Sequence, residues 1–176
     1  MQQRNYTIRE ATEADAEAII KMHAQSWLDT YPNEEAGVTR EWVKERADTW
    51  LTPEKLESRR ARIRQASPSG DMMYKIAVDD KGVVVGIACP VRDENAQRVG
   101  GLYVDKEYQG SGLAQKLMAE IIKWADPKRP LELEVASYNE RAKAFYRKYA
   151  FWEIKELANT HGNIPTVVMI RRGEKE

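Results

Sequence analysis

The spacing of apolar residues changes along the chain. From Ala16 to Trp27 they recur every three or four positions, which is the period of an amphipathic helix. From residue 73 onward, the chain contains stretches in which apolar and polar residues alternate, as in half-buried strands. These stretches are separated by others with helical spacing. The predicted strands lie at 6–9, 73–78, 83–90, 98–104, 131–135, 151–157 and 166–170. The first predicted helix begins at residue 16. The other predicted helices lie at 40–50, 54–65, 111–124 and 139–149.

The connections between these elements indicate a mixed sheet. The turn at 79–82 joins two strands as an antiparallel hairpin. A helix crosses between the strands at 98–104 and 131–136, so these two should run parallel. The glycine pair at 100–101 predicts a bulge in its strand or a close approach of another group. The expected fold is α/β, with a mostly antiparallel central sheet flanked by helices, in one domain over 1–173.

Composition and charge narrow the classes of function. Lysine plus arginine (28) equals aspartate plus glutamate (28), so the balance predicts neither nucleic acid nor a membrane surface as a partner. No apolar run approaches the roughly 20 residues that span a bilayer, and the first five residues are too polar for a signal peptide. One cysteine, Cys89, and two histidines, His23 and His161, exclude an internal disulfide and a typical zinc site. A cytoplasmic, metal-free protein is expected.

A turn of small residues joins the strand at 102–104 to the next helix. Its residues are Gly110, Ser111 and Gly112, so two of its three positions carry no Cβ. Backbone amides at such a helix start point outward, and the helix dipole adds partial positive charge there. This arrangement is typical of a phosphate or pyrophosphate site. The turn therefore predicts a phosphorylated cofactor.

The same turn resembles the signature of the GNAT superfamily of N-acetyltransferases, Arg/Gln-x-x-Gly-x-Gly/Ala. The segment Gln109-Gly110-Ser111-Gly112-Leu113-Ala114 fits every fixed position of that signature. Downstream, Asn139-Glu140-Arg141-Ala142 and Phe145-Tyr146 resemble the family's second motif. Two motifs in this order are far more specific than either alone, and the order of elements matches over nearly the whole chain.

The resemblance implies a cofactor and the residues that bind it. The cofactor would be acetyl-CoA, without a metal, and the strand before the turn would splay from its parallel neighbour to admit the pantetheine arm. The Val104 amide would polarise the thioester carbonyl. The implied cofactor-binding residues are Leu102, Tyr103, Val104, Gln109, Gly110, Ser111, Gly112, Leu113, Ala114 and Asn139. Asn139 is equally suited to cap the helix that follows it.

The acceptor amine must lose a proton before or during its attack, because free alkyl amines have a pKa of about 10. Tyr146 matches the family tyrosine that lies near the sulfur and acts as general acid. Without the upstream motif it would be interpreted as a core aromatic residue. The base is left open: Glu134 points away from its apolar neighbours and either faces the notch or is solvated, and a water chain would serve equally.

The resemblance places the acceptor between the first helices and the last hairpin. Trp27 and Tyr31 are the implied substrate-binding residues, and Asp29 or Glu34 would hold an ammonium group. Their alternative roles are packing for the aromatic residues and solvation for the acids. The expected partner is a small-molecule amine, such as a polyamine, or a peptide amine. A homodimer is left open because dimers are common in the family.

Two positions depart from the family pattern. Ala150 stands where the family often has glycine, and must either adopt a left-handed conformation or end the helix differently. Gln109 and Ser111 are neutral where relatives often carry arginine or lysine, so backbone amides would carry more of the pyrophosphate binding.

The leading hypothesis is therefore an N-acetyltransferase that works by direct attack in a ternary complex. The alternative is a non-catalytic acyl-CoA-binding module that senses cofactor level and has no use for Tyr146. A P-loop enzyme is disfavoured because no Lys-Ser/Thr follows the glycines. A Rossmann domain is disfavoured because antiparallel hairpins flank the turn.

Overall fold

The computed structural model describes residues 4–173, apart from the side chains of 158–160, and shows strands and helices in the predicted order. The first three residues of the expected domain lie outside this range. The strands are β1 (Tyr6–Glu10), β2 (Lys75–Asp79), β3 (Val84–Ala88), β4 (Val91–Arg92), β5 (Gln97–Arg98), β6 (Leu102–Val104), β7 (Leu131–Ala136), β8 (Phe151–His161) and β9 (Ile164–Arg171). The helices are α1 (Ala16–Thr30), α2 (Arg40–Asp48), α3 (Pro53–Gln65), α4 (Leu113–Trp124) and α5 (Glu140–Arg147).

A reciprocal cap sets the entry into α1. The Thr12 amide donates to Asp15 Oδ2 at 2.8 Å, and Arg9 at the end of β1 pairs with the same carboxylate at 2.8 Å. The Arg9 guanidinium and the Thr12 donors lower the pKa of Asp15 to about 2. This network fixes the direction in which α1 leaves the sheet, and the helix then buries Ile19 and Ile20.

The strands form two sheets, with the orders β1-β2-β3-β6 and β4-β5-β7-β9-β8. The segment predicted as one strand at 98–104 is two strands: β5 pairs parallel with β7, and β6 pairs antiparallel with β3. The predicted strand at 83–90 corresponds to β3 alone, and β4, just beyond the predicted range, belongs to the other sheet. The mixed α/β fold is confirmed, and the expected parallel pair extends over only two residue pairs before β6 diverges from β7.

The glycine pair causes this division. Gly100 has φ +67, and a Cβ built there would lie 2.2 Å from the carbonyl oxygen of Cys89. The amide of Val99 still bonds β7, whereas the carbonyl of Gly101 already accepts from Cys89 beside β3. The chain therefore changes sheets across one residue that only glycine can occupy without strain. Of the two predicted alternatives, the close approach of another group is the one observed, and the two sheets splay from this point.

Helix α5 is shorter than its predicted range because capping residues flank it. Asn139 is the N-cap, and Ala150 has φ +61 just before β8 begins. Ala150 thus takes the left-handed conformation that glycine would adopt at lower cost. The last hairpin also differs from the prediction, since β8 continues to His161 and leaves only residues 162–163 as the turn.

Helix α4 supplies the centre of the main core. Leu113, Leu117, Met118 and Ile121 are fully buried in a cluster that contains residues of both sheets. Within the described range, no helix combines the length and apolarity required to cross a membrane.

Candidate active site

A cavity of about 350 Å³ opens where β6 and β7 diverge. Its walls come from the end of α1, the glycine segment, β6, β7, the start of α4 and α5. The sequence-predicted residues that line it are Tyr31, Leu102, Tyr103, Val104, Gln109, Ala114, Asn139 and Tyr146. Two motifs distant in the sequence therefore meet around one space.

Backbone groups of β6 face this cavity. Asp105 donates to Val85 and Cys89 donates to Gly101, which makes these the hydrogen-bonded pairs of the β3–β6 ladder. Hydrogen-bonded pairs alternate with non-bonded pairs in an antiparallel ladder. Leu102 and Val104 occupy the non-bonded positions of the register, so their backbone groups point away from β3 toward the gap. The Val104 amide is thus directed away from β3, on the side of the cavity that Val104 lines.

The turn before α4 lies between two residues of the cavity lining, Gln109 and Ala114. Gly110 and Gly112 have φ +82 and φ +88, and α4 begins directly afterwards at Leu113. The Ser111 hydroxyl donates to the Tyr108 carbonyl at 2.6 Å, which stabilises the turn from within. Residues 110–113 lie beside the cavity rather than in its lining, and the Leu113 side chain is in the core. Any contribution of Leu113 to binding would come from its amide.

A side-chain contact that the sequence did not predict joins this turn to α5. Arg141 Nη1 donates to Gln109 Oε1, and both residues line the cavity. Gln109 Nε2 lies 3.5 Å from the Val104 carbonyl, so the amide group spans from β6 to α5. Sequence spacing gave no signal for this contact, because the two residues lie on separate elements.

Asn139 has the capping role that was one of its two predicted roles. Its Oδ1 accepts from the Ala142 amide at 3.0 Å. The same residue lines the cavity, so the N-cap of α5 contributes a polar side chain to the cavity wall.

Tyr146 enters the cavity from α5. Its ring packs edge-on against Phe145 and Phe151, with centroids 5.4 and 5.8 Å apart. Burial raises the pKa of Tyr146 well above its usual value, and the nearby phenol of Tyr103 raises it further. The hydroxyl therefore stays protonated at neutral pH, with its hydrogen available to a ligand in the cavity.

Aromatic residues form the wall toward α1. Trp27 Nε1 donates to His23 Nε2 at 3.0 Å and lies 3.3 Å from Tyr103 Oη. Trp27 is buried and stands behind Tyr31, with ring centroids 4.6 Å apart. Tyr31 lines the cavity and Trp27 does not, so Trp27 supports the wall from behind. Burial lowers the pKa of His23 to about 3, which keeps that imidazole neutral.

Carboxylates occupy the same end. Glu134 faces the cavity, and its Oε2 lies 3.3 Å from His161 Nε2 in the last hairpin. Asp29 also lines the cavity and accepts from Gln25 at 3.1 Å. Glu34, the other acid predicted for this region, is not part of the lining. The structure thus brings together two acids and a histidine from three separate elements.

A second cavity, of about 390 Å³, lies near the β2–β3 turn. Four carboxylates and two cations line it: Asp79, Asp80, Asp105, Glu107, Arg4 and Lys81. This excess of negative charge makes it a poor site for a phosphorylated ligand. In the described part of the chain, no cluster of three or more histidine, cysteine or acidic residues could hold a metal ion.

Residues 17–151 match the model of the acetyltransferase (GNAT) family. The chain belongs to this family, which the motifs at 109–114 and 139–146 had indicated. Acetyl transfer from acetyl-CoA is the general chemistry of the family. No curated relative matches the sequence significantly.

Solved structures share the fold over nearly their whole length. The PaiA N-acetyltransferase from Thermoplasma acidophilum, in complex with coenzyme A, is 23% identical with TM-score 0.74, and the match covers 96% of this chain and 99% of that one. A GCN5-related N-acetyltransferase from Kribbella flavida is 24% identical with TM-score 0.65, covering 95% and 97%. YncA from Salmonella typhimurium, with acetyl-CoA, is 20% identical with TM-score 0.64, covering 98% and 96%. At these identities the likeness shows the fold.

Proposed function

We propose that this protein is an N-acetyltransferase that transfers an acetyl group from acetyl-CoA to a primary amine by direct attack in a ternary complex. The observation that carries the proposal is the cavity between β6 and β7, which is lined by Tyr146 and, on either side of the small-residue turn, by Gln109 and Ala114. A non-catalytic acyl-CoA-binding module would need the small-residue turn but not Tyr146. The amine belongs to a small molecule, such as a polyamine, or to a peptide.

The residues of the cavity fit coenzyme A. The backbone groups of Leu102 and Val104 have no strand partner on the cavity side, so an amide-rich pantetheine arm would complete their hydrogen bonding. The amides at the start of α4 would hold the pyrophosphate, where the helix dipole favours negative charge. When bound, acetyl-CoA supplies the acetyl group as an activated thioester.

Two groups of this chain serve the reacting end. The Val104 amide donates to the carbonyl oxygen, which stabilises negative charge that develops there. The Tyr146 hydroxyl, held protonated by its surroundings, donates to the departing sulfur. Both come from elements that border the splay, so the fold itself brings them to one place.

The acceptor amine enters at the opposite end. Asp29 and Glu134 attract an ammonium group, and the Tyr31 ring covers the apolar part of the acceptor. Glu134, paired with His161, takes up the proton that the ammonium loses before attack. Two carboxylates at one end favour an acceptor with a second positive charge, which supports the polyamine class.

The test combines calorimetry of acetyl-CoA binding with thiol release across a panel of diamines, polyamines and peptides. We expect wild type and Tyr146→Phe to bind acetyl-CoA with similar Kd, and Tyr146→Phe to lose about 10²-fold in kcat. Tyr149→Phe is the matched control on the same segment, because Tyr149 does not line the cavity, and it should keep full activity. Binding without turnover on any amine would support the sensing module instead. No binding would refute the assignment of the cavity.

A further inference from the structure

Three charged side chains line the main cavity within the described residues: Asp29, Glu134 and Arg141. The two acids are assigned to the acceptor end. Arg141 projects from the first turn of α5 and reaches the small-residue turn through Gln109. It is therefore a cation next to the proposed phosphate site.

Arg141 differs from the other cations of its helix. Lys143 pairs with Glu140, and Arg147 pairs with Glu153. Among the described residues, the partner found for Arg141 is the neutral amide oxygen of Gln109, and no carboxylate lies within ion-pair distance of it. A guanidinium has five N–H donors, so most of its donors and its whole charge are available to a ligand.

We propose that Arg141 binds a phosphate group of coenzyme A. This inference rests on the proposed function and identifies the source of the positive charge that Gln109 and Ser111 do not supply. A guanidinium can donate two parallel hydrogen bonds to a phosphate, whereas the turn amides contribute only partial charges. The hydrogen bond to Gln109 holds the side chain over the turn before the ligand arrives, which lowers the entropy lost on binding.

The experiment is calorimetry of coenzyme A binding to wild type, Arg141→Gln and Arg147→Gln. Arg147 is the matched control, since it lies on the same helix and outside the cavity lining. We expect Arg141→Gln to weaken binding about tenfold, as for loss of one charge-assisted hydrogen bond, and to flatten the salt dependence of Kd. Arg147→Gln should bind like wild type. Melting temperatures of both variants identify any loss that comes from unfolding.

Two further binding measurements show which phosphate Arg141 contacts and whether it acts directly or through Gln109. If the tenfold loss disappears with 3′-dephospho-coenzyme A, Arg141 contacts the 3′-phosphate, and if the loss persists, Arg141 contacts the pyrophosphate. Both results support the proposal. If Arg141→Gln has no effect in a Gln109→Ala background, the guanidinium acts only by positioning Gln109, and the proposal is wrong.

The proposal also fails if folded Arg141→Gln binds coenzyme A as tightly as wild type. This failure is distinguishable from failure of the proposed function. In the first case wild type binds coenzyme A and the variant matches it, whereas in the second case wild type itself does not bind.

Discussion

The two ends of the cavity are built from different kinds of groups. At the cofactor end, the surfaces are backbone amides of β6 and of the turn at 109–114, positioned by Gly100 and the start of α4. At the acceptor end, the surfaces are side chains: the Tyr31 ring and the carboxylates of Asp29 and Glu134. Backbone geometry is hard to change without loss of the fold, and side chains are easily exchanged. We therefore expect cofactor binding to be tied to stability and acceptor choice to be adjustable.

The largest expected effect comes from Gly100→Ala, which tests whether cofactor binding is tied to stability. The new Cβ would lie 2.2 Å from the Cys89 carbonyl oxygen, at a residue with positive φ. We therefore expect the free energy of unfolding to fall by about 3 kcal/mol or more and cofactor binding to be lost as well. Urea denaturation measures the first and calorimetry the second. Gly82→Ala is the control: Gly82 has φ +81 with nothing within 4 Å, so it isolates the conformational cost of about 1 kcal/mol. Equal losses in the two variants would show that the close contact at Gly100 is unimportant.

A substitution at the other end should separate acceptor from cofactor. Glu134→Gln removes the carboxylate that faces the cavity, and we expect kcat/KM for a cationic amine to fall about 10- to 100-fold, with acetyl-CoA affinity unchanged. Steady-state kinetics with varied amine, after an active acceptor is found, measures this change. Glu132→Gln, two residues earlier on β7 and outside the lining, is the matched control. A parallel change in acetyl-CoA affinity would contradict the division between the ends.

The smallest expected effect comes from Ala150→Gly. Relief of the left-handed alanine should stabilise the protein by about 0.5–1 kcal/mol, because the gain in the native state exceeds the added entropy of the unfolded chain. Thermal or urea unfolding measures this. Neither the Kd for acetyl-CoA nor the KM for the amine should change, since Ala150 lies beyond α5 and lines no part of the cavity. A destabilised variant would contradict the strain assigned to Ala150.

Prediction from sequence succeeded where backbone conformation determines the outcome. The glycines at 100–101 predict a bulge or a close approach, and the structure shows the close approach, at Gly100. The family pattern at Ala150 predicts either a left-handed conformation or a different helix end, and the structure shows the left-handed conformation. The same reasoning treated 98–104 as one strand. Alternation in the sequence does not show that one half pairs with β7 and the other with β3, because pairing partners are distant in the chain.

Side-chain contacts between separate elements were the hardest to predict. The sequence is compatible with two roles for Glu134, whereas the structure places it in the cavity lining and in contact with His161. The contact between Arg141 and Gln109 has no signal in the sequence. Both contacts depend on tertiary positions rather than on spacing along one helix or strand. Trp27 shows the reverse case, because a predicted pocket residue is buried behind Tyr31, where its indole binds His23 and Tyr103.

The most direct test of the central claim is a titration of isotope-labelled protein with acetyl-CoA, followed by the amide resonances. We expect the largest saturable shifts at Val104, Gly110, Gly112 and Ala114, which belong to β6, the turn and the start of α4. Gly82, beside the second cavity, should stay unchanged. Shifts concentrated around Gly82 and Asp105, with the turn at 110–112 unaffected, would contradict the assignment of the cofactor to the cavity between β6 and β7.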